Sequence, residues 1–303
     1  PPFYSAARDY FNELYERPRV PSSLRFQSLF AMGFMDMHSL GIEKPNYSKA
    51  REIFEIISQT PSLPLTLYLQ ARLNLAVMDL YGWGLKEPDY IKARKNFESI
   101  LRQCQEDSFL WHLAAFNMAF MNMSGYGLEK PDYDKAQIIF TRIVKSEHPS
   151  LTLHGKALYN LGYMNLKGLG LPRPLKARAR AIFSAIMAET RYSLAIHAET
   201  LFALGCMDLS DWEDPEEQPD YLNARAIFNV IKHNEEFPMR LRLKAELILG
   251  WMDMKGLGIV SPDYRQAWKA FETIVNSDLH LFYRKKAIAF LNQIKEYVIP
   301  ASP

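Results

Sequence analysis

An alanine recurs along this chain at Ala7, Ala50, Ala93, Ala136, Ala179, Ala224 and Ala267, in steps of 43, 43, 43, 43, 45 and 43 residues. Four residues after each stands a phenylalanine, as Phe11, Phe54, Phe97, Phe140, Phe183, Phe228 and Phe271. Upstream, Met35, Met78, Met121, Met164, Met207 and Met252 keep the same beat, each with Gly or Ala two residues before it. A fixed period of this length marks a repeat architecture, in which one unit cannot bury its apolar side alone and copies must stack.

Each unit reads as two helices. In the first, Leu110, Ala114, Met118 and Met121 fall on one face of a 3.6-period helix. The small residue at 33, 76, 119, 162, 205 or 250 lies on another side, where a missing side chain lets a neighbouring helix come close. In the second helix, Tyr133, Ala136, Phe140 and Ile143 make a comparable stripe. Pro131 bars the chain from continuing as helix, and Asp132 is a natural N-cap, so the second helix is expected to begin near residue 132. The Gly-x-Gly pairs Gly82/Gly84, Gly125/Gly127, Gly168/Gly170 and Gly256/Gly258 raise the question of a phosphate-cradling loop. Such a loop needs a strand before it and a helix start directly after the glycines; here the preceding segment is helical and a proline intervenes, so the pair reads as a hinge.

With 303 residues, 48% of them apolar and 23% charged, the chain can bury a sizeable core. A net charge of +2 without long runs of one sign demands neither nucleic acid nor an acidic partner, so no nucleic-acid binding is expected and any steering must be local. No apolar run is long enough to span a bilayer, so membrane insertion is not expected. No charged-then-apolar leader opens the sequence, but its first residue is Pro1 rather than Met, so this says little about compartment. Cys104 and Cys206 do not make a disulfide framework; a cytoplasmic location, or translocation or secretion without structural disulfides, is compatible.

Signals for chemistry are thin. The histidines, His38, His112, His148, His154, His197, His233 and His280, form no metal-ligand spacing. The Met-x-Met triplets at 35–37, 121–123 and 252–254 place their sulfurs about 200° apart on a helix, which suits one soft metal ion poorly. After each recurring Met stands Asp36, Asp79, Asn122, Asn165, Asp208 or Asp253. This column could be a ladder for cations or a bound chain; local hydrogen bonding to the following glycine loop is the favoured reading. The acidic insert with Asp211, Glu213, Asp214, Glu216 and Glu217 lacks the ligand order of a calcium loop, and the basic run at 173–180 reads as a solvated helix face. No GxSxG, Cys–His or paired-carboxylate motif is present, and no cofactor or metal is expected.

The stretches "LGYMNLKGLGL" at 161–171 and "LGWMDMKGLGIVSPDYRQAWKAF" at 249–271 carry a resemblance. They are similar to the Sel1-like repeat family, kin of the tetratricopeptide repeats. The resemblance implies an all-α fold, a right-handed α-solenoid of antiparallel helix pairs, as a single domain over 1–303. Six pairs are expected at 24–66, 67–109, 110–152, 153–195, 196–240 and 241–280. Residues 4–17 resemble a lone second helix, and 281–298 a closing helix with a polar outer side. The chain departs from the family pattern in the Asp/Asn column, in Pro174-Leu175-Lys176, and in the insert that replaces the glycines of the fifth unit.

Such architecture implies that the first helices line an inner, concave side. The strip facing it would hold Gln27, Phe30, Phe34 and Met37, then Gln70, Leu73, Val77 and Leu80, then Leu113, Phe116, Phe120 and Met123. It continues with Lys156, Tyr159, Tyr163 and Leu166, with Glu199, Phe202, Cys206 and Leu209, and with Lys244, Leu247, Trp251 and Met254. Either the strip is a second core, or part of it stays open as a groove for an amphipathic helix or extended peptide. The column before each Met, from Phe34 and Val77 to Cys206 and Trp251, varies most in size and discriminates best. Asn74, Asn117 and Asn160 stand in one column that could hold a peptide backbone or bond between repeats.

The expectation is a non-enzymatic adaptor or scaffold that binds a peptide or helix of another protein. Its candidate partner-binding residues are Phe34, Asn74, Val77, Phe116, Asn117, Phe120, Met123, Lys156, Tyr159, Asn160, Tyr163, Trp251 and Met254. Bacterial proteins of this kind include effector-like factors that meet host proteins. The alternatives are a structural or regulatory segment of a larger enzyme, or a small-ligand binding module.

Overall fold

In the computed structural model, which describes residues 2–60, 62–106, 108–147, 150–209 and 219–298, every regular element among the described residues is an α-helix. Two compact units divide the chain, Pro1–Leu153 and His154–Pro303. The first holds α1 (Pro2–Glu16), α2 (Ser22–Met37), α3 (Tyr47–Ser58), α4 (Leu65–Tyr81), α5 (Tyr90–Gln103), α6 (Phe109–Ser124) and α7 (Tyr133–Lys145). The second takes all but the first residues of α8 (Leu151–Lys167). After it come α9 (Lys176–Ala188), α10 (Leu194–Leu209), α11 (Tyr221–His233), α12 (Met239–Lys255), α13 (Tyr264–Val275) and α14 (Leu281–Val298). Within the first unit each helix packs on the next from α1 to α7, and α4 also meets α6. In the second, each packs on the next from α9 to α14, while α10 meets α12 and α12 meets α14. The chain is thus an all-α repeat protein built of helix pairs.

The recurring phenylalanine is the centre of each pair. Phe54, Phe97, Phe140, Phe183, Phe228 and Phe271 are wholly buried, each stabilising its unit by about 1.5–3 kcal/mol before chain entropy is set against it. The small-residue column exists to admit these rings. A Cβ added at Gly162 would lie 2.5 Å from Phe183 Cε1, and one at Gly250 would lie 3.0 Å from Phe271 Cε1. Ala76 and Ala119, wholly buried, are the largest residues found in that column.

The turns follow the hinge reading. Gly82, Gly125 and Gly256 cap α4, α6 and α12 in the left-handed conformation, where an L side chain would be strained. The second glycine of the pair answers to a different constraint, the close approach of another backbone. A Cβ on Gly127, also at positive φ, would sit 3.1 Å from the Tyr90 carbonyl oxygen of the preceding pair. Beyond the turn, Asp89, Asp132, Asp220 and Asp263 accept the backbone N–H three residues on, as does Asn46, and so start the second helices. Leu175, the N-cap of α9, offers no such acceptor.

The Asp/Asn column corrects the sequence reading. Its side chains are buried, and all but Asn165, which donates to the Leu161 carbonyl at 2.7 Å, meet an arginine of the preceding second helix rather than the glycine loop. Arg51 Nη1 donates to Asp79 at 2.7 Å, Arg94 Nη1 to Asn122 at 2.8 Å, Arg180 Nη2 to Asp208 at 2.7 Å and Arg225 Nη1 to Asp253 at 2.6 Å. Arg8 pairs with Asp36 in the same way. The same guanidinium reaches the turn: Arg51 donates to the Trp83 carbonyl at 3.1 Å, Arg94 to that of Tyr126 at 3.0 Å and Arg225 to that of Leu257 at 2.9 Å. One planar fork therefore joins three things, a second helix, the next first helix and its turn, which a point-charge lysine would hold less well.

The outer side of α14 also differs from expectation. Leu281, Phe282, Ile288 and Tyr297 are exposed among its lysines, so the polar outer side is only partial. The acidic insert and His148 lie outside the described residues.

Candidate functional site

The strip of first-helix residues is graded in depth, and the grading follows from what lies behind each position. Where the Phe column stands behind it, the ring leans inward: Phe30 on Phe54 at 5.4 Å between centroids, Phe116 on Phe140 at 5.6 Å, Tyr159 on Phe183 at 5.7 Å and Phe202 on Phe228 at 5.5 Å. At the positions two residues after the Met, Met37, Leu80, Leu166 and Met254 are buried, whereas Met123 and Leu209 are partly exposed. Gln27, Gln70, Lys156 and Glu199 are exposed along the upper edge.

The column before the Met is the open one. Phe34 is 42% exposed, and Val77, Phe120, Tyr163, Cys206 and Trp251 are partly exposed. The strip is therefore not uniformly core: its lower rows are buried, and the variable column reaches the surface. In the first unit Phe34 lies tilted against His38 at 4.3 Å between centroids, and Phe120 sets its edge to Tyr126 at 6.0 Å. The asparagines turn back on their own helices. Asn117 and Asn160 each donate to the carbonyl four residues earlier, Leu113 and Lys156, at 2.8 Å. Asn74 is partly exposed on α4.

In the second unit the strip deepens into a concavity of about 440 Å³ between α10, α12 and α14. Phe202, Cys206 and Leu209 line it from α10, Lys244, Leu247, Ile248 and Trp251 from α12, and Tyr283, Lys286 and Phe290 from α14. Ordinary ligand-binding concavities have this size and this mainly apolar, aromatic lining. Of the candidate residues read from the sequence, Trp251 lies in it, and Met254 is buried in the core cluster nearby. Sequence reading missed the α14 wall because the interval shortens there, from Ala245 to Ala287, both wholly buried. That buried pair of alanines, each preceded by a lysine, was the signal that could have found it.

The charge in this concavity is one-sided. Among the described residues its lining holds Lys244 and Lys286 and no carboxylate. Lys244 Nζ lies 5.2 Å from the centre of the Tyr283 ring and Lys286 Nζ 5.7 Å from that of Phe290, so each ammonium caps an aromatic wall. Burial pushes the Cys206 thiol up to about 11, against the pull of the Lys167 and Lys244 charges, so it serves as an apolar wall rather than a nucleophile. Burial, and then the charge of Glu199, also raise the Tyr159 phenol, which stays neutral.

Among the described residues no three His, Cys, Asp or Glu side chains gather as a metal site, and no helix is long and apolar enough to cross a membrane. Met35, Met37, Met121, Met252 and Met254, from the Met-x-Met triplets, are buried in the core.

A family model described as Sel1 repeat matches residues 27–58, 69–103, 112–143, 155–182 and 243–269, slightly more than half of the chain. It passes over α10 and α11, the pair that carries the acidic insert. No curated protein matches significantly by sequence. Among solved structures, a protective antigen present in uropathogenic Escherichia coli strains, displaying an SLR fold, is similar at 18% identity and a TM-score of 0.49. That comparison covers 97% of this chain, which spans 61% of that protein. A Sel1 repeat protein from Oxalobacter formigenes is similar at 14% identity and a TM-score of 0.46, covering 90% of this chain and 99% of its own.

Proposed function

Since this chain belongs to the Sel1 repeat family, whose members generally mediate protein–protein interaction and are typically non-catalytic scaffolds, we propose that it is an adaptor that binds a peptide or helix of another protein on the face formed by its first helices. The observation that carries this reading is the open column before each Met, which in the second unit leads into the aromatic concavity at Trp251. Buried rows beneath hold that column rigidly, so aromatic anchors are presented without the ordering cost of a flexible loop. An extended segment or one amphipathic helix could place side chains into such a row at each successive first helix. The lysines, glutamines and glutamate of the upper edge would then set orientation more than affinity.

The test compares three versions of the full chain as bait, after circular dichroism shows that each is folded. Tyr163→Glu with Trp251→Glu places charge on the open column, and Ile138→Glu places it on an exposed position of α7 outside the strip. The proteins captured by the unaltered chain are expected to be lost with the first variant and kept with the second. Equal recovery by the first variant would remove the inner face from consideration.

A further inference from the structure

We infer that the concavity between α10, α12 and α14 selects an acidic partner segment, one in which an aromatic or aliphatic anchor is accompanied by Asp or Glu. This deepens the reading of the first-helix face as a peptide-binding surface and rests on it. Charge complementarity carries the inference. Among the described residues, the only ionisable groups of the lining that are charged at neutral pH are two lysines, half-buried Lys244 on α12 and exposed Lys286 on α14, each with its ammonium beside an aromatic ring of the wall. An apolar anchor seated against Trp251 and Phe202 would bring its neighbouring residues level with these ammonium groups. A carboxylate there gains two cationic partners beside an apolar wall, whereas a Lys or Arg would meet like charge with no carboxylate of the lining to offset it. Glu199, the carboxylate of the upper edge on α10, lies outside the lining and next to Tyr159. The preference is therefore local to the α12–α14 end of the unit.

A library of random peptides displayed on phage, selected against the full chain, tests this directly. Enriched sequences should pair Trp, Phe or Leu with Asp or Glu, and enrichment should vanish against Trp251→Glu. A capped synthetic peptide from that selection should bind about tenfold more weakly when its acids are replaced by amides, or when salt is raised well above physiological strength. The double variant Lys244→Glu with Lys286→Glu should invert the selection toward Lys and Arg. If that variant does not fold, the acid-to-amide comparison and the salt series on the unaltered protein decide alone. Enrichment that needs Trp251 but shows no acidic preference overturns this inference and leaves the peptide-binding face standing. Enrichment indifferent to Trp251→Glu, or no enriched peptide at all, overturns both.

Discussion

Arg51 and Asp79 show how much one pair of side chains can hold together. The Asp79 carboxylate is wholly buried, with Lys92 Nζ 3.9 Å from its other oxygen, and the Arg51 side chain, 9% exposed, has its charge met by that carboxylate while its guanidinium also closes the turn at Trp83. Removing one partner of a buried pair strands the other. Asp79→Ala should cost about 3–5 kcal/mol in urea unfolding, because Arg51 is left buried without its counter-charge. Asp79→Asn should cost much less, since Asn122 already receives Arg94 at 2.8 Å in the equivalent place. Equal losses for both variants would show that charge, rather than the hydrogen bond, is what the site requires. The sequence contained this rung in plain view: Arg8, Arg51, Arg94, Arg180 and Arg225 each follow a recurring alanine. It was not legible because its partner stands 28 residues away, in the next repeat, and only the stacked helices bring the two side chains together.

At the scale of the element, α9 is the exception that shows what the other second helices share. Its N-cap, Leu175, has φ −111° and ψ 72°, close to the −110° and 80° of Asp132 at the start of α7. The backbone is thus already shaped for a capping side chain that leucine does not supply. Leu175→Asp should stabilise the protein by about 1 kcal/mol, read as a rise in Tm, whereas Asp132→Ala should cost a similar amount. A fall in Tm on Leu175→Asp would mean that the leucine's packing outweighs the absent cap. Caps of this kind were legible from the sequence because they act within three residues. The same holds for the glycine hinge, since left-handed backbone at Gly125 follows from the local chain and needs no distant partner.

For the molecule as a whole, stability is a chain of neighbour terms. In the first unit α3 packs on α2 and α4, and one cluster gathers Phe54, Ile57, Leu67 and Met78 from these helices and from no later one. Phe54→Ala should cost about 3–5 kcal/mol locally. Hydrogen exchange should then show protection lost first over α2 to α4 and least at α7, as a one-dimensional array of coupled repeats requires. Uniform loss across α1 to α7 would mean that the unit unfolds as one cooperative body.

The sequence by itself determined the period, the two helices of each repeat, their caps and hinges, and the phenylalanine at the heart of each pair. All of these are set by interactions within one turn of helix or by a pattern that must repeat for copies to stack. Only the tertiary structure decided which rows of the aromatic strip are core and which reach the surface, and that α14 supplies a wall to the concavity beside Trp251. Exposure depends on how near the neighbouring helix comes, and that distance is set by the small residue opposite each phenylalanine together with every other side chain packed between them. The linear spacing of residues does not contain it.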